Sequence, residues 1–438
     1  MEWLRGWSTL ARLLASALAT RQAPTSGAHV IRRDLSAGAN DWEPSLAVAG
    51  THVFIIAVRK PAGAPPERSM VVTWSSGDRG LTLAAGSMFD RVGGDVRIKA
   101  SQDGTVAASW IEVVRDSTGR GIDMSRGGLV IAISHDFGET WRATIAAPMA
   151  SGVADKPELA LSRDGHDVYV AFMGPGTLDV VASHDGGSTW VRSVADSTRT
   201  GHWPMSMVLG PGDDLYLTDA RQVRMPGDSL LEVEAELLRS ADGGRSWRAQ
   251  TVSRSRRSRG PGACVHGSAC PVQIPYASVG VDGQGRVHLI STEGDAGRPY
   301  ALRYRRSTDR AATWSDPVAL SAAARLASGD GADHFYPMID ARGDGLVYIA
   351  WFDDRRGSID LWARQSPDGG TTWSDEVQLS RPEGMPGIYG EYGGIGIDRQ
   401  GAVHVTWAEG TGHIGRPAGQ GGVWYARWDG PGLAGRQR

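Results

Sequence analysis

Cysteine is nearly absent, charge is nearly balanced, and no long apolar run occurs; each shortage removes a class of protein. Cys264 and Cys270 are the only two cysteines in 438 residues, so no multi-disulfide scaffold can be built. They share one loop with His266. One loop-pinning disulfide in an oxidising compartment fits them; a metal site is the alternative, but the spacing matches no standard zinc pattern. The net charge of −3 gives no reason to expect nucleic acid. No stretch reaches the roughly 18 apolar residues of a membrane span. Helical periodicity is missing after residue 20, and no Pro/Ser linker divides the chain.

What is abundant is glycine, 59 residues, and tryptophan, 16. Both contribute to one recurring pattern, Ser-x-Asp-x-Gly-x-Thr-Trp, which begins at Ser76, Ser134, Ser183, Ser240, Ser307 and Ser366. Its aspartates are Asp78, Asp136, Asp185, Asp242, Asp309 and Asp368, spaced 58, 49, 57, 67 and 59 residues apart. Such a period marks an array of supersecondary units, none able to bury its own apolar face alone. Glycine supplies positive φ, while serine and aspartate bond amides inside a tight turn. The tryptophan is expected to pack between units. Two copies are degraded: Leu83 replaces tryptophan in the first, and Ala311 replaces glycine in the fifth. Tolerance of that kind suits a structural turn better than a catalytic one.

Around each turn lie short β-branched runs, four per unit, as in a propeller blade. Seven second-strand runs are present, from Val53–Val58 to Ala402–Trp407. The seventh unit has three strands, with Asp429-Gly430 as a turn remnant. The segment from His29 to Ser36 resembles the fourth strands elsewhere. It is expected to complete the last blade and so remove the exposed edges. The fold class is therefore all-β, a seven-bladed propeller over residues 29–430; six blades with a peripheral sheet is the alternative. Residues 1–28 form a leader that resembles a secretory signal, although Arg12 interrupts its apolar run. Residues 431–438 are expected to be a disordered tail. Secretion or a periplasmic location follows, with a cytoplasmic protein as the alternative. A monomer is expected.

Chemistry is expected where the first strands begin, because those strands line the channel and the second-to-third-strand loops meet them there. This face carries Trp42, Glu43, Asp95, Arg97, Asp155, Lys156, His202, Trp203, Tyr276, Asp333, His334, Tyr336, Glu391 and Tyr392, with Arg355 and Arg356 on a loop. Carboxylates, guanidiniums and rings around one axis suit a polar ligand with perturbed ionisation nearby. The bland readings are channel-bound water and, for Asp353-Asp354-Arg355-Arg356, a self-satisfied ion-pair turn.

The repeated turn is the Asp-box, or BNR repeat, and on it the chain resembles the sialidase-like superfamily of propellers from residue 29 onward. Asn40–Val48, Trp351–Gly357 and Gly390–Gly394 are similar to stretches common in secreted bacterial members. The resemblance implies an arginine triad, a tyrosine nucleophile with a glutamate, and an aspartate acid/base. Sialidases open their first blade with Phe/Tyr-Arg-Ile-Pro; here Asp41-Trp42-Glu43-Pro44 stands in its place, so the first arginine is lost and Glu43 adds negative charge. Arg97, Arg355, Tyr392 and Glu391 could fill the remaining roles.

The expected function is recognition of a glycan or glycoconjugate. Hydrolysis would use Glu391 and Tyr392 with Glu43, Asp95 and Asp333 opposite. Ligand contacts would come from Trp42, Arg97, His202, Trp203, His334, Tyr336, Arg355 and Arg356. No cofactor or metal is expected. A non-catalytic propeller that grips a protein partner is the alternative.

Overall fold

Runs of valine, isoleucine and alanine bounded by glycine and aspartate become strands because β-branched side chains pack well on a pleated surface. The computed structural model describes residues 29–431 apart from 62–68, 90–92, 119–120, 154, 199–200, 224–229, 259–274, 296–298, 323–331 and 412–419. The leader, the tail beyond residue 431 and both cysteines lie outside the described residues.

Seven four-stranded antiparallel sheets form the ring. Blade 1 runs Asn40–Ala49, His52–Lys60, Met70–Ser76, Ala84–Phe89, and blade 2 runs Gly93–Ala100, Val106–Glu112, Gly128–Ser134, Arg142–Pro148. Blade 3 spans Asp155–Leu161 to Val191–Asp196 and blade 4 Pro204–Leu209 to Arg248–Ser258. Blade 5 spans Ala277–Val281 to Val318–Ala319 and blade 6 His334–Arg342 to Val377–Gln378. Blade 7 takes Ile388–Ile397, Val403–Thr411 and Gln420–Trp428, and borrows Val30–Asp34 as its fourth strand. That closing pair runs in register from Val30↔Trp428 to Asp34↔Trp424. The inner strand of each blade packs on the next, and blade 7 packs on blade 1. Among the described residues no helix is long and apolar enough to cross a membrane.

Second strands sit between neighbouring blades and are buried on both faces, which is why they read as continuous apolar runs. Fourth strands face solvent and lose that pattern, as in Arg142–Pro148 and Val191–Asp196. Trp110, Trp351 and Trp407, near the ends of second strands, are fully buried. Truncating one to alanine should cost about 3–5 kcal/mol.

The six recurring turns share one bonding scheme. In the third, Ser183 Oγ donates to Asp185 Oδ1 (2.8 Å) and accepts from the Gly187 amide (2.8 Å). Asp185 Oδ1 also accepts from the Thr189 amide (2.8 Å), and Oδ2 from the Thr189 hydroxyl (2.6 Å). The other five repeat it, with Ser246 standing for threonine in the fourth. Two successive residues at positive φ reverse the chain, as the twist-matched hairpin turns require. At Gly80 and Gly370 a second constraint acts: a Cβ there would overlap the hydroxyl of Tyr425 or Tyr304 from the preceding blade. Ala311 keeps the turn at φ +64, without glycine's freedom. Leu83, in place of tryptophan, packs beside Val72 and Trp74.

Candidate functional site

Regular alternation would send every second side chain of an inner strand into the channel. Bulges at the mouth break that rule. Register shifts fall at Trp42/Ser45, Gly94/Arg97, Asp155/Glu158, Pro204/Ser206, Phe335/Met338 and Ile388/Gly393, the starts of six inner strands. A bulge bends the strand and re-aims its side chains. Within four of them a non-glycine residue is left-handed: Glu43 (φ +52), Asp95 (+57), Lys156 (+56) and Tyr336 (+41). That conformation costs an L-residue roughly 1–2 kcal/mol, and such strain gathers where function holds it.

The re-aimed side chains converge from blades 1, 2, 3, 4 and 7. Lys156 lies at their centre, buried, with Nζ bonded to Glu391 Oε1 and 4.0 Å from Asp95 Oδ1. The same ammonium lies 4.3 Å from the Trp203 ring centroid and 4.0 Å from that of Tyr392. Arg97 stacks over Tyr392 at 4.0 Å and bonds Glu158 through Nε at 2.8 Å. The Tyr392 hydroxyl donates to Asp95 Oδ1, and Glu43 Oε2 accepts from the Asp95 amide (2.8 Å). Exposure divides the cluster. Tyr392 is only 3 % exposed, whereas the side chains of Asp95 and Glu391 are 21 % and 23 % exposed. A ligand arriving at the mouth would meet the two carboxylates before the phenol.

Ionisation is perturbed in the same place. Burial, then the charges of Asp95 and Glu391, pushes Glu43 well above the usual carboxyl range. Burial, then Asp95, its neighbour and hydrogen-bond partner, raises Asp155 to about 7. Tyr392 is pushed up by burial and by Asp95, against the opposing pull of Arg97. Glu158 is raised by burial despite Arg97. Carboxyls crowded together away from water cannot all ionise, so a proton is retained among them at neutral pH. A channel cavity of about 100 Å3 is bordered by Arg97, Glu158 and Glu391 of this cluster and by Lys99, Asp340 and Ser206, among others.

The remaining predicted residues are distributed. Trp42 packs in the apolar layer between blades 1 and 2 with Val96 and Trp110. Tyr336 meets Tyr276 edge-on at 5.4 Å on the channel wall. His202 bonds Asp219 (2.7 Å), whose other oxygen accepts from the Trp203 amide (2.7 Å), fixing the ring over Lys156. Although burial opposes charge on His202, the bond and charge of Asp219 raise its pKa. Asp333 accepts from the Tyr300 amide (2.8 Å) and its own amide donates to Asp354 (2.9 Å). His334 bonds the Tyr300 carbonyl (2.7 Å), and burial holds its pKa down. Arg355 is enclosed by Asp353, Glu376 and Ser321 and stacks on Trp362 at 4.4 Å. Arg356 bonds Gln378 and the Pro382 carbonyl (both 2.7 Å), on the outer part of blade 6. The sequence places Asp155 and Lys156 at the mouth without marking either as a site residue, and it does not mark Glu158. Its only signal was a carboxylate two positions beyond Lys156 in an otherwise apolar strand. Among the described residues no group of three or more His, Cys, Asp or Glu is placed to hold a metal ion.

No protein-family model and no curated protein matches the sequence. Solved structures do match. The chain is similar to a protein of unknown function from Dyadobacter fermentans, with 14% identity, 91% of this chain and 98% of that one covered, and a TM-score of 0.50. It is similar to an ulvan lyase, a polysaccharide lyase solved with a saccharide bound, at 12% identity, 89% and 95% coverage, and a TM-score of 0.51. A Hadza microbial sialidase aligns at 14% identity over 85% of this chain and 76% of its own, with a TM-score of 0.45. At such identities the likeness is one of fold.

Proposed function

We propose that the protein binds the end of a glycan at the channel mouth and hydrolyses its glycosidic bond there. The observation that carries this reading is the gathering of Asp95 and Glu391, the exposed carboxylates, around buried Lys156, with Asp155 holding a proton near neutral pH beside Asp95. Two carboxyl groups of unlike protonation are what glycoside hydrolysis uses. In this reading Asp155, in its hydrogen-bonded pair with Asp95, delivers the proton to the leaving oxygen. Glu391, as carboxylate, takes a proton from the water whose oxygen bonds to the anomeric carbon as the glycosidic bond breaks. Tyr392, too buried to lead an attack, positions Asp95 from beneath. Trp203 offers a ring face to the sugar. A saccharide bound to the similar polysaccharide lyase supports a saccharide ligand here.

The charge balance narrows the substrate. Arg97 is committed to Glu158 and Lys156 to Glu391, so neither offers a free cation to a sugar carboxylate. Even with Glu43 and Asp155 neutral, the carboxyl groups of Asp95, Glu158 and Glu391 outnumber them. An uncharged or amino-bearing sugar fits better than a sialate. A panel of aryl-glycosides tests the reading: wild-type protein should release the aglycone from at least one neutral or amino sugar, and Glu391→Gln should not. Binding on a glycan array with no turnover of any glycoside would remove the chemistry and leave a binding propeller.

A further inference from the structure

The face opposite the mouth carries a second feature that the glycan reading does not use. Where blades 4 and 5 meet, a groove of about 630 Å3 is lined by Arg239, Trp247, Arg248, Gln250, Arg310 and Ala311. It forms at the one turn whose glycine is replaced. Arg310 and Ala311 are both left-handed (φ +59 and +64), which sends the Arg310 side chain out over the groove, 67 % exposed. The tryptophan of this turn also departs from those of the second and fourth turns. Trp141 and Trp247 donate Nε1 to a glycine carbonyl of their own turn (2.9 and 3.1 Å), whereas Trp314 reaches across to Gln250 Oε1 (3.2 Å). That bond uses the acceptor oxygen of Gln250 and leaves its amide N–H groups for a ligand.

Charge in the groove is unequal. Asp214 takes Arg239 at 2.9 Å through both oxygens and lies 3.7 Å from Arg310. Arg248 is exposed and has no carboxylate partner among the described residues. The acids of the two flanking turns, Asp242 and Asp309, are held inside those turns by serine and threonine bonds. Arg239 Nε is buried and has no acceptor among the described residues. Three guanidiniums therefore face one carboxylate, beside a tryptophan ring and an amide donor. Donors dominate, so the fitting ligand is rich in acceptors and carries negative charge. Guanidinium forks match carboxylate and sulfate groups, and the indole matches a sugar face.

We infer that this groove between blades 4 and 5 is a binding site for an acidic oligosaccharide, sulfated or uronate-bearing, separate from the mouth. Titration calorimetry on the whole chain tests it with four probes: a heparin-derived hexasaccharide, an oligogalacturonate of similar length, uncharged maltohexaose and a dT8 oligonucleotide. At least one acidic saccharide should bind, more weakly as salt rises, and maltohexaose should not compete with it. The double variant Arg248→Glu/Arg310→Glu should bind at least about tenfold more weakly, the scale of losing one or more charge-assisted contacts, with an unchanged melting temperature. Hydrogen exchange should slow on binding in residues 246–250 and 310–314, and Glu391→Gln should leave affinity untouched. Failure of both acidic saccharides to bind overturns the inference, as does full affinity in the double variant. An oligonucleotide that binds as tightly overturns the assignment to a saccharide.

Discussion

Asp242 and Asp155 are the same residue type in one ring, and the ring treats them oppositely. In the turn, the Ser246 hydroxyl and amide and the Ser240 hydroxyl bond the Asp242 carboxylate and hold its pKa down to about 2. At the mouth, burial and Asp95 raise Asp155 to about 7. The first arrangement is repeated six times, fully bonded and local in sequence. The second is unique, assembled from five blades, and sits on backbone held left-handed at Glu43, Asp95 and Lys156. A carboxylate whose charge is satisfied holds a fold together. One whose charge is frustrated is available for proton transfer. Repetition in this sequence therefore marks what is structural, and the departures from repetition mark what is chemical.

The largest effect that would sharpen the contrast is loss of turnover at the mouth without loss of fold. Glu391→Gln should lower kcat at least about 100-fold, as removal of a general acid or base does, and Asp95→Asn should do the same by removing the charge that keeps the proton on Asp155. Their melting curves should stay close to wild type. Tyr392→Phe should lose less, about 10- to 100-fold, the worth of one bond to a charged group. A Tyr392→Phe defect equal to that of Asp95→Asn would recast the tyrosine as the nucleophile that the sialidase resemblance implies.

Next comes pH. Asp155 is raised on folding, so it favours the folded state below about 4, and that contribution fades as pH climbs to about 7. The turn aspartates are lowered, so theirs is present above about 4 and fades as pH falls towards 2. Asp155→Asn should gain stability relative to wild type between pH 4 and 7, measured by thermal melts. Asp242→Asn should be less stable than wild type at pH 7, with the gap narrowing towards pH 2. Matching pH trends in the two variants would erase the distinction. Activity should also fall above about pH 7 as Asp155 loses its proton.

The smallest effect is at the irregular turn. Ala311→Gly relieves a left-handed alanine, worth about 1–2 kcal/mol, but restores about 0.5–1 kcal/mol of unfolded-chain entropy. A net gain of about 0.5 kcal/mol should appear as a slightly higher melting temperature. A loss would mean that the Ala311 methyl, packed near Tyr216 and Leu237, contributes more than the strain removes.

The sequence made the ring legible because blades repeat: the turn pattern counted six units, and the unmatched segment at His29–Ser36 indicated the closing strand. It also marked the mouth, since first-strand starts can be found from the blade order. It could not rank the residues there. Rank depends on bulges, and nothing in Asp41-Trp42-Glu43-Pro44 or Asp155-Lys156 announces a left-handed residue. Hence nothing in the sequence ranks Lys156 above Trp42, although the first lies at the centre and the second packs between blades. Arg355 bonds Asp353 of its own turn, as the ion-pair reading of that loop expects, whereas Glu376 and Gln378, which complete the bonding of Arg355 and Arg356, come from farther along the blade.

Val30 and Trp428 lie side by side in the last sheet, about one inter-strand spacing of 5 Å apart. The polypeptide thus enters and leaves the torus through one doorway, and a few residues of linker would bridge it. The buckle of this belt is an ordinary antiparallel pairing that could be relocated. A permuted gene opened between two other blades should yield the same wheel, with its hub chemistry undisturbed.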